Sequence, residues 1–345
     1  MSESQFKLFE PTPMTENLLD IESDETVRLR VNEAQELGEK VLCNLGFTSE
    51  EAVIVATHLV DASMWGYEFA GLPRILVIAE RPELKKPRKP ISIVRETPVS
   101  ALLDGGNNLG YVAVSRGVEI AIEKARKSGV AVMGVRNCWF TGRAAYYLEK
   151  IARAGFAAIY AASSTPTVVP PGASRKALGT NPLAIGLPGK INPFIFDIGT
   201  SLVMTGEVLM KAFLGEKFPE IVGINKNGTP TSVARDVIDG GVFPFGGHKG
   251  YGLSLAIQAL GLLGGSRMRN GDVSDFGHFF IAFDPGLLMP AEQFTSELEE
   301  LLTKIKNLPK QPGVSEIRIP SERGFREREI RRKQGILVTK RIVER

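Results

Sequence analysis

Phe243-Pro-Phe-Gly-Gly-His-Lys-Gly-Tyr-Gly252 is the stretch best suited to chemistry, with four glycines, a lysine and a histidine at the mouth of an apolar run over 253–265. A helix opening there would aim unpaired N–H groups and the positive end of its dipole at one spot, a design for an anion. Gly246, Gly247 and Gly250 let a phosphate approach the backbone, and Lys249 beside His248 adds a point charge. The spacing is neither the Walker GxxxxGK[ST] nor the dinucleotide GxGxxG, and a glycine-rich turn before a buried helix is the plainer alternative. Two further polar words stand in loops: Gly179-Thr180-Asn181, and Asp197-Ile-Gly-Thr200-Ser201 at a strand end. They offer backbone donors, an amide, a carboxylate and hydroxyls, as recognition of ribose or phosphate requires, although Ser/Thr-rich turns also occur without function. Arg74 closes a glycine-containing loop, where it either clamps a carboxylate or covers a helix end. No clustered His/Cys spacing and no GxSxG occurs, so neither a metal site nor a nucleophilic triad is expected.

The elements that must carry these residues follow from periodicity. Apolar spacing predicts a helix from Glu25 to a stop at Gly46 and a second over 49–65 with Ser49 as N-cap. Strands are expected at 91–94 and 99–103, with Asp104-Gly105-Gly106 as a turn, then a helix over 110–127, a strand over 129–135, a helix over 143–154 and a strand over 156–162. Later come a strand ending at Asp197, an Asn225-Lys-Asn-Gly228 turn, an amphipathic helix over 291–308 and a charged helix over 323–333 that packs on the first lobe or on a partner subunit. Residues 1–24 read as an extended arm. Strands alternating with helices indicate an α/β or mixed core.

The 345 residues are 43% hydrophobic and 23% charged, ordinary for a soluble globular enzyme with room for two or three lobes. The 42 basic and 39 acidic residues leave a formal charge of +3, so no general field draws in nucleic acid or an anionic membrane. Cys43 and Cys138 make no disulfide framework and suit a reducing compartment. The start, Met-Ser-Glu-Ser, has no signal pattern, and the longest uncharged run is glycine-interrupted and short for a bilayer. A cytoplasmic protein acting on a small molecule is expected.

With these pieces in order, the chain resembles the malate/L-lactate dehydrogenase type 2 family over nearly its whole length, on the words Leu178-Gly-Thr-Asn-Pro182, Asp197-x-x-Thr-Ser201 and Phe245-Gly-Gly-His-Lys-Gly-Tyr-Gly252. That resemblance implies a non-Rossmann α/β fold, with a cofactor lobe on a largely antiparallel or mixed sheet (113–265) and a helical substrate lobe from both chain ends (1–112 and 266–345). It implies a homodimer, and NAD or NADP as cofactor. By position, Gly179, Thr180, Asn181, Asp197, Thr200, Gly246, Gly247, His248, Lys249 and Gly250 would line the cofactor site. Arg74 would face the substrate carboxylate, with Phe69 and Phe140 in the substrate pocket.

The departures matter more. Where family members carry Ser-His-Gly, this chain has Phe69-Ala70-Gly71, and where they carry Asn-His-Phe-Gly it has Trp139-Phe140-Thr-Gly142. Neither family histidine is present, and His58, His248 and His278 align with neither position. The family's Thr-Asp-Pro is here Thr231-Ser-Val233, and a lysine is replaced by Glu207. Reducing a ketone needs a proton on the developing alkoxide, and a positioned acid contributes about a hundredfold to ten-thousandfold. An iminium already carries its proton, so the losses favour imine reduction, in a more apolar pocket. Glu68, Tyr67 and Tyr147 are the candidate substitute donors. Two readings stay open: a nicotinamide-dependent reductase of an imino or 2-oxo acid, and a cofactor-binding relative that has lost net redox turnover for isomerisation, cyclisation or a binding role.

Overall fold

The computed structural model describes residues 26–269, 272–273 and 276–340; the arm expected over 1–24 lies outside them. The chain opens with β1 (Thr26–Leu29), α1 (Val31–Asn44) and α2 (Ser49–Met64). The first helix therefore starts at Val31 rather than at Glu25, because the residues just before it pair with the far end of the chain. Thr48, not Ser49, caps α2: its hydroxyl accepts the Glu51 N–H at 3.2 Å while the Glu51 carboxylate accepts the Thr48 N–H at 2.9 Å. Ala34 and Leu42 of α1 pack against Ala52, Val55 and Leu59 of α2.

Next come α3 (Arg74–Glu80), β2 (Ser92–Thr97), β3 (Ser100–Leu109), α4 (Gly110–Ser128), β4 (Val130–Trp139), α5 (Ala144–Arg153), β5 (Ala157–Ser163), β6 (Leu183–Leu187), β7 (Phe194–Ile198) and α6 (Thr205–Leu214). A small sheet of β8 (Gly223–Ile224), β9 (Pro230–Thr231) and β10 (Gly241–Val242) packs on α7 (Ala234–Asp239). The last part holds α8 (His248–Leu263), the antiparallel pair β11 (Met268–Arg269) and β12 (Asp272–Val273), β13 (Gly277–Phe283), α9 (Ala291–Lys306), α10 (Glu322–Gln334) and β14 (Ile336–Thr339).

The main sheet runs β2-β3-β4-β13-β5-β6-β7, and every neighbouring pair is antiparallel except β3 with β4. That order has no dinucleotide-type parallel half, so the fold is mixed α/β and not Rossmann. Strand β13 arrives from late in the chain to lie between β4 and β5; it and β2 and β3 join the sheet from outside 113–265. The expected turn at Asp104-Gly105-Gly106 instead runs within β3, whose register against β4 breaks between Asp104 and Asn108. Strand β14 pairs antiparallel with β1, so both chain ends build the helical part.

The two faces of the sheet differ. Met133, Val135, Tyr160, Phe280 and Ala282 bury one face beneath α4 and α5. Alternation puts Gly134, Ser163 and Gly277 on the other, where α8 comes so close that a Cβ on Gly277 would lie 2.1 Å from the Gly261 carbonyl oxygen. Gly250, Ser254, Ile257, Gln258 and Gly261 are the positions α8 buries, whereas Leu255, Leu262 and Leu263 stay 49%, 47% and 68% exposed.

Candidate active site

Three sequence words far apart in the chain meet at the start of α8. The Thr200 N–H donates to the Thr180 carbonyl at 2.7 Å, and the Phe245 N–H donates to the Thr200 carbonyl at 3.1 Å. Thr200 also donates its hydroxyl to the Thr180 and Asn181 carbonyls. Asn181 is fully buried; its amide donates to the Ser254 carbonyl at 2.9 Å and to the Gln258 side chain at 3.1 Å, tying the loop to α8. Ser164 holds the Thr180 N–H, and a Cβ on Gly179 would lie 2.1 Å from the Ser164 hydroxyl oxygen, which is why that position is glycine. The side chains of Asn181 and Thr200 are thus committed to shaping the site.

The helix starts at His248, earlier than the apolar run at Leu253 suggests, so His248, Lys249 and Gly250 form its first turn. Their N–H groups have no intrahelical acceptor. Gly246 and Gly247 ahead of them are exposed at φ +58° and +60°, a backbone that favours glycine, and nothing lies within 4 Å of where their Cβ atoms would stand. Lys249 is exposed and enters no ion pair among the described residues. An open cradle with dipole and cation is a fit for a dinucleotide phosphate.

The second half is organised by the segment 140–145. Asp197 accepts the Ala145 N–H at 2.8 Å at the start of α5; burial raises its pKa, and that hydrogen bond and Arg143 oppose the rise. The Arg143 N–H donates to His58 Nε2 at 3.0 Å, and the Tyr111 N–H donates to the Phe140 carbonyl at 3.1 Å. Phe140 is held at φ +51°, uncommon for a bulky residue. Gly142, at φ +69°, leaves room for both rings behind it: a Cβ there would lie 2.4 Å from His58 Nε2 and 2.5 Å from Tyr111 Cε1.

Arg74 stands over the Phe140 ring at 4.7 Å, and Arg81 over the same ring at 5.1 Å. Arg81 is forked onto Glu83 by two bonds of 2.9 Å, whereas Arg74 pairs with no carboxylate among the described residues. Phe69 leans on α6, where a Cβ on Gly206 would lie 2.4 Å from its ring. The substrate-side residues Arg74 and Phe140 therefore share one cluster, and Phe69 abuts the helix that follows the Asp197 strand.

Of the proposed donors, Tyr147 is buried and already gives its hydroxyl proton to the Thr141 carbonyl at 2.6 Å. Tyr67 is a surface ring with Arg143 at 4.9 Å and Arg323 at 5.2 Å. Glu68 lies 3.6 Å from Arg331; burial raises its pKa and Arg331 opposes that. Two further groups, outside the donors proposed from sequence, also flank the 140–143 loop. His58 is buried and uncharged, its pKa pushed well below 6.5 by burial, with Arg143 and Lys150 adding to the shift, and its Nδ1 has no partner among the described residues. Tyr111 is 1% exposed and its hydroxyl has no acceptor among the described residues; burial raises its pKa, and the charge and hydrogen bonding of the Arg74 guanidinium oppose that. The sequence signal was slight: a histidine on the buried stripe of α2, and a tyrosine in the first turn of α4.

Behind the site, α10 is fastened by charge. Arg328 reaches Asp61 at 3.1 Å and Glu149 at 2.6 Å, while Arg143 reaches Asp61 at 3.3 Å and Arg153 reaches Glu149 at 2.7 Å. Trp65 stacks between Arg143, Arg328 and Phe325. The charged C-terminal helix thus packs on the helical part built by α2. Among the described residues no group of His, Cys, Asp and Glu could hold a metal ion, and no helix is long and apolar enough to cross a membrane.

Comparison with known proteins gives the class, an oxidoreductase, and the family. The family model described as malate/L-lactate dehydrogenase matches residues 29–345. A malate dehydrogenase of Pyrococcus abyssi is 36% identical over 98% of this chain and 96% of its own length. A Δ(1)-pyrroline-2-carboxylate reductase of Ancylobacter novellus is 32% identical over 91% of this chain and 95% of its own. Among solved structures, the malate dehydrogenase of Pyrococcus horikoshii OT3 superposes with a TM-score of 0.82 at 31% identity, covering 92% of this chain and 93% of that one. The chain belongs to the malate/L-lactate dehydrogenase family.

Proposed function

We propose that the protein is a nicotinamide-dependent reductase of a small carboxylate-bearing substrate, an imino acid ahead of a 2-oxo acid. The carrying observation is that the Gly179, Asp197 and Phe245 words converge on the first turn of α8, while Arg74, over Phe140, pairs with no carboxylate among the described residues. NADH or NADPH, when bound, supplies the hydride. Gly246, Gly247 and the free N–H groups of α8 would hold its phosphates, with Lys249 neutralising charge. Arg74 would take the substrate carboxylate by its two-pronged guanidinium. Ala70 and Phe140 can neither give nor take a proton, which disfavours a carbonyl relative to an already protonated iminium. Relatives named for malate and for Δ(1)-pyrroline-2-carboxylate support both bond classes within the family.

The exposed leucines of α8, together with Ile159 at 40% exposure on the same sheet face, support a second copy of this chain as the partner that covers them. Nicotinamide fluorescence titration with NADH and NADPH tests the reading. Saturable binding is expected, weakened about tenfold or more by Lys249→Ala through loss of one charged contact. Failure of both nucleotides to bind at millimolar concentration refutes it, and saturable binding without any substrate-dependent nicotinamide oxidation returns the cofactor-binding, non-redox reading.

A further inference from the structure

The two family histidines are gone from the site, but the site does not lack buried donors. Tyr111 is joined through its own backbone N–H to the carbonyl of Phe140, the residue that occupies one vacated histidine position. Its ring fills the space behind Gly142, edge-on to His58 with centroids 4.8 Å apart. The neighbouring position must be glycine for this to happen, since a Cβ on Gly110 would lie 2.3 Å from Thr141. Among the described residues the Tyr111 hydroxyl is buried with no acceptor for its proton, a state rarely left uncompensated in a folded chain. Arg74 is its charged neighbour and aims hydrogen-bond donors at the same hydroxyl, and among the described residues Arg74 pairs with no carboxylate. A phenolic proton without an acceptor beside a cation without a carboxylate, both against Phe140, form a recognition pair for a carboxylate and the carbonyl oxygen next to it. Tyr147, the other buried phenol nearby, is spent on Thr141.

We infer that Tyr111 is the donor that meets the carbonyl oxygen of a 2-oxo acid whose carboxylate is held by Arg74, and that it is the residue through which this chain retains carbonyl reduction. The inference rests on the nicotinamide reading above. In the step, hydride adds to the carbonyl carbon, the C=O π pair moves to oxygen, and that oxygen takes the phenolic proton. The nicotinamide is oxidised and the carbonyl reduced. The tyrosinate left behind is compensated by the Arg74 guanidinium and recovers a proton from water when product leaves. His58, neutral and fixed by the Arg143 N–H, is a positioning residue that holds the Tyr111 ring and the 140–143 loop in place. An iminium substrate needs no such proton, so Tyr111 is dispensable for it.

The test compares wild type with Tyr111→Phe, which keeps the ring and removes only the hydroxyl; a matched thermal melting temperature confirms the fold, and Tyr111→Leu with the same comparison serves if it does not. Turnover is measured on pyruvate, oxaloacetate and phenylpyruvate and on Δ1-pyrroline-2-carboxylate, with NADH and NADPH. Oxamate, which binds without reacting, is titrated calorimetrically with nicotinamide present. Expected are a fall in kcat of about a hundredfold to ten-thousandfold on the 2-oxo acids, imine kcat within a few-fold, and oxamate binding weaker by about tenfold. Equal loss on both substrate classes, no loss on either, or unchanged oxamate binding overturns the assignment of Tyr111. Wild-type turnover of the imine alone also overturns it while leaving the nicotinamide reading intact; absence of any nucleotide-dependent turnover removes both.

Discussion

Acidification should cost the wild-type protein more stability than a His278→Asn variant, because burial holds the His278 imidazole neutral at pKa about 3. His278 is completely buried in β13, where it shares a 2.7 Å hydrogen bond with the Tyr160 hydroxyl and leaves Nε2 without a partner. The unfolded chain protonates the same ring near 6.5. Since the folded value is the lower one, the unfolded state binds the extra proton between about 6.5 and 3, and stability falls as pH falls through that window. At about pH 5 the shortfall is about 1.5 pH units, or about 2 kcal/mol, and near pH 7.5 it is negligible. Asparagine does not titrate and its amide can take up the Tyr160 hydroxyl. Urea denaturation of both proteins at the two pH values measures the difference, with His58 present in both and cancelling. The stability gap between wild type and variant should move by about 2 kcal/mol in the variant's favour on acidification. An unchanged gap would refute the claim that His278 stays neutral in the fold.

Arg328→Met should destabilise the protein by about 3 kcal/mol, the low end for breaking a buried pair because Arg143 and Arg153 still reach Asp61 and Glu149; chemical denaturation checks it, and a change under about 1 kcal/mol would show the network to be slack. In the proposed dimer, a Leu255→Glu, Leu263→Glu double variant should shift the mass measured by light scattering from two copies to one, since the side chains are 49% and 68% exposed on α8; a single-copy wild type, or an unchanged two-copy mass, would refute α8 as the subunit contact.

The local parts of this protein were legible in its residues. Helices over 49–65, 110–127, 143–154 and 291–308 were readable from apolar spacing because a 3.6-residue period is a property of neighbours along the chain, and they appear as α2, α4, α5 and α9 within a few residues. The Gly-Gly-His-Lys word was readable as the opening of a helix for the same reason, and three separated words together were enough to indicate the family. Errors arose where a distant segment decided the outcome. Residues 26–29 follow a helical pattern but are drawn into a strand by 336–339, and Asp104-Gly105-Gly106 reads as a turn but is carried through β3 by its neighbours. The insertion of β13 between β4 and β5 has no signature in either partner.

The same divide runs through the site. Residue types alone showed that Ala70 and Phe140 cannot transfer a proton and that Lys249 and its glycines suit an anion. Only tertiary packing turned Asn181 inward onto α8, spent the Tyr147 hydroxyl on Thr141, and set Tyr111 and His58 behind Gly142. Whether a polar group is free or already paired depends on which buried partner the fold brings to it, and that partner is chosen by long-range packing rather than by spacing along the chain.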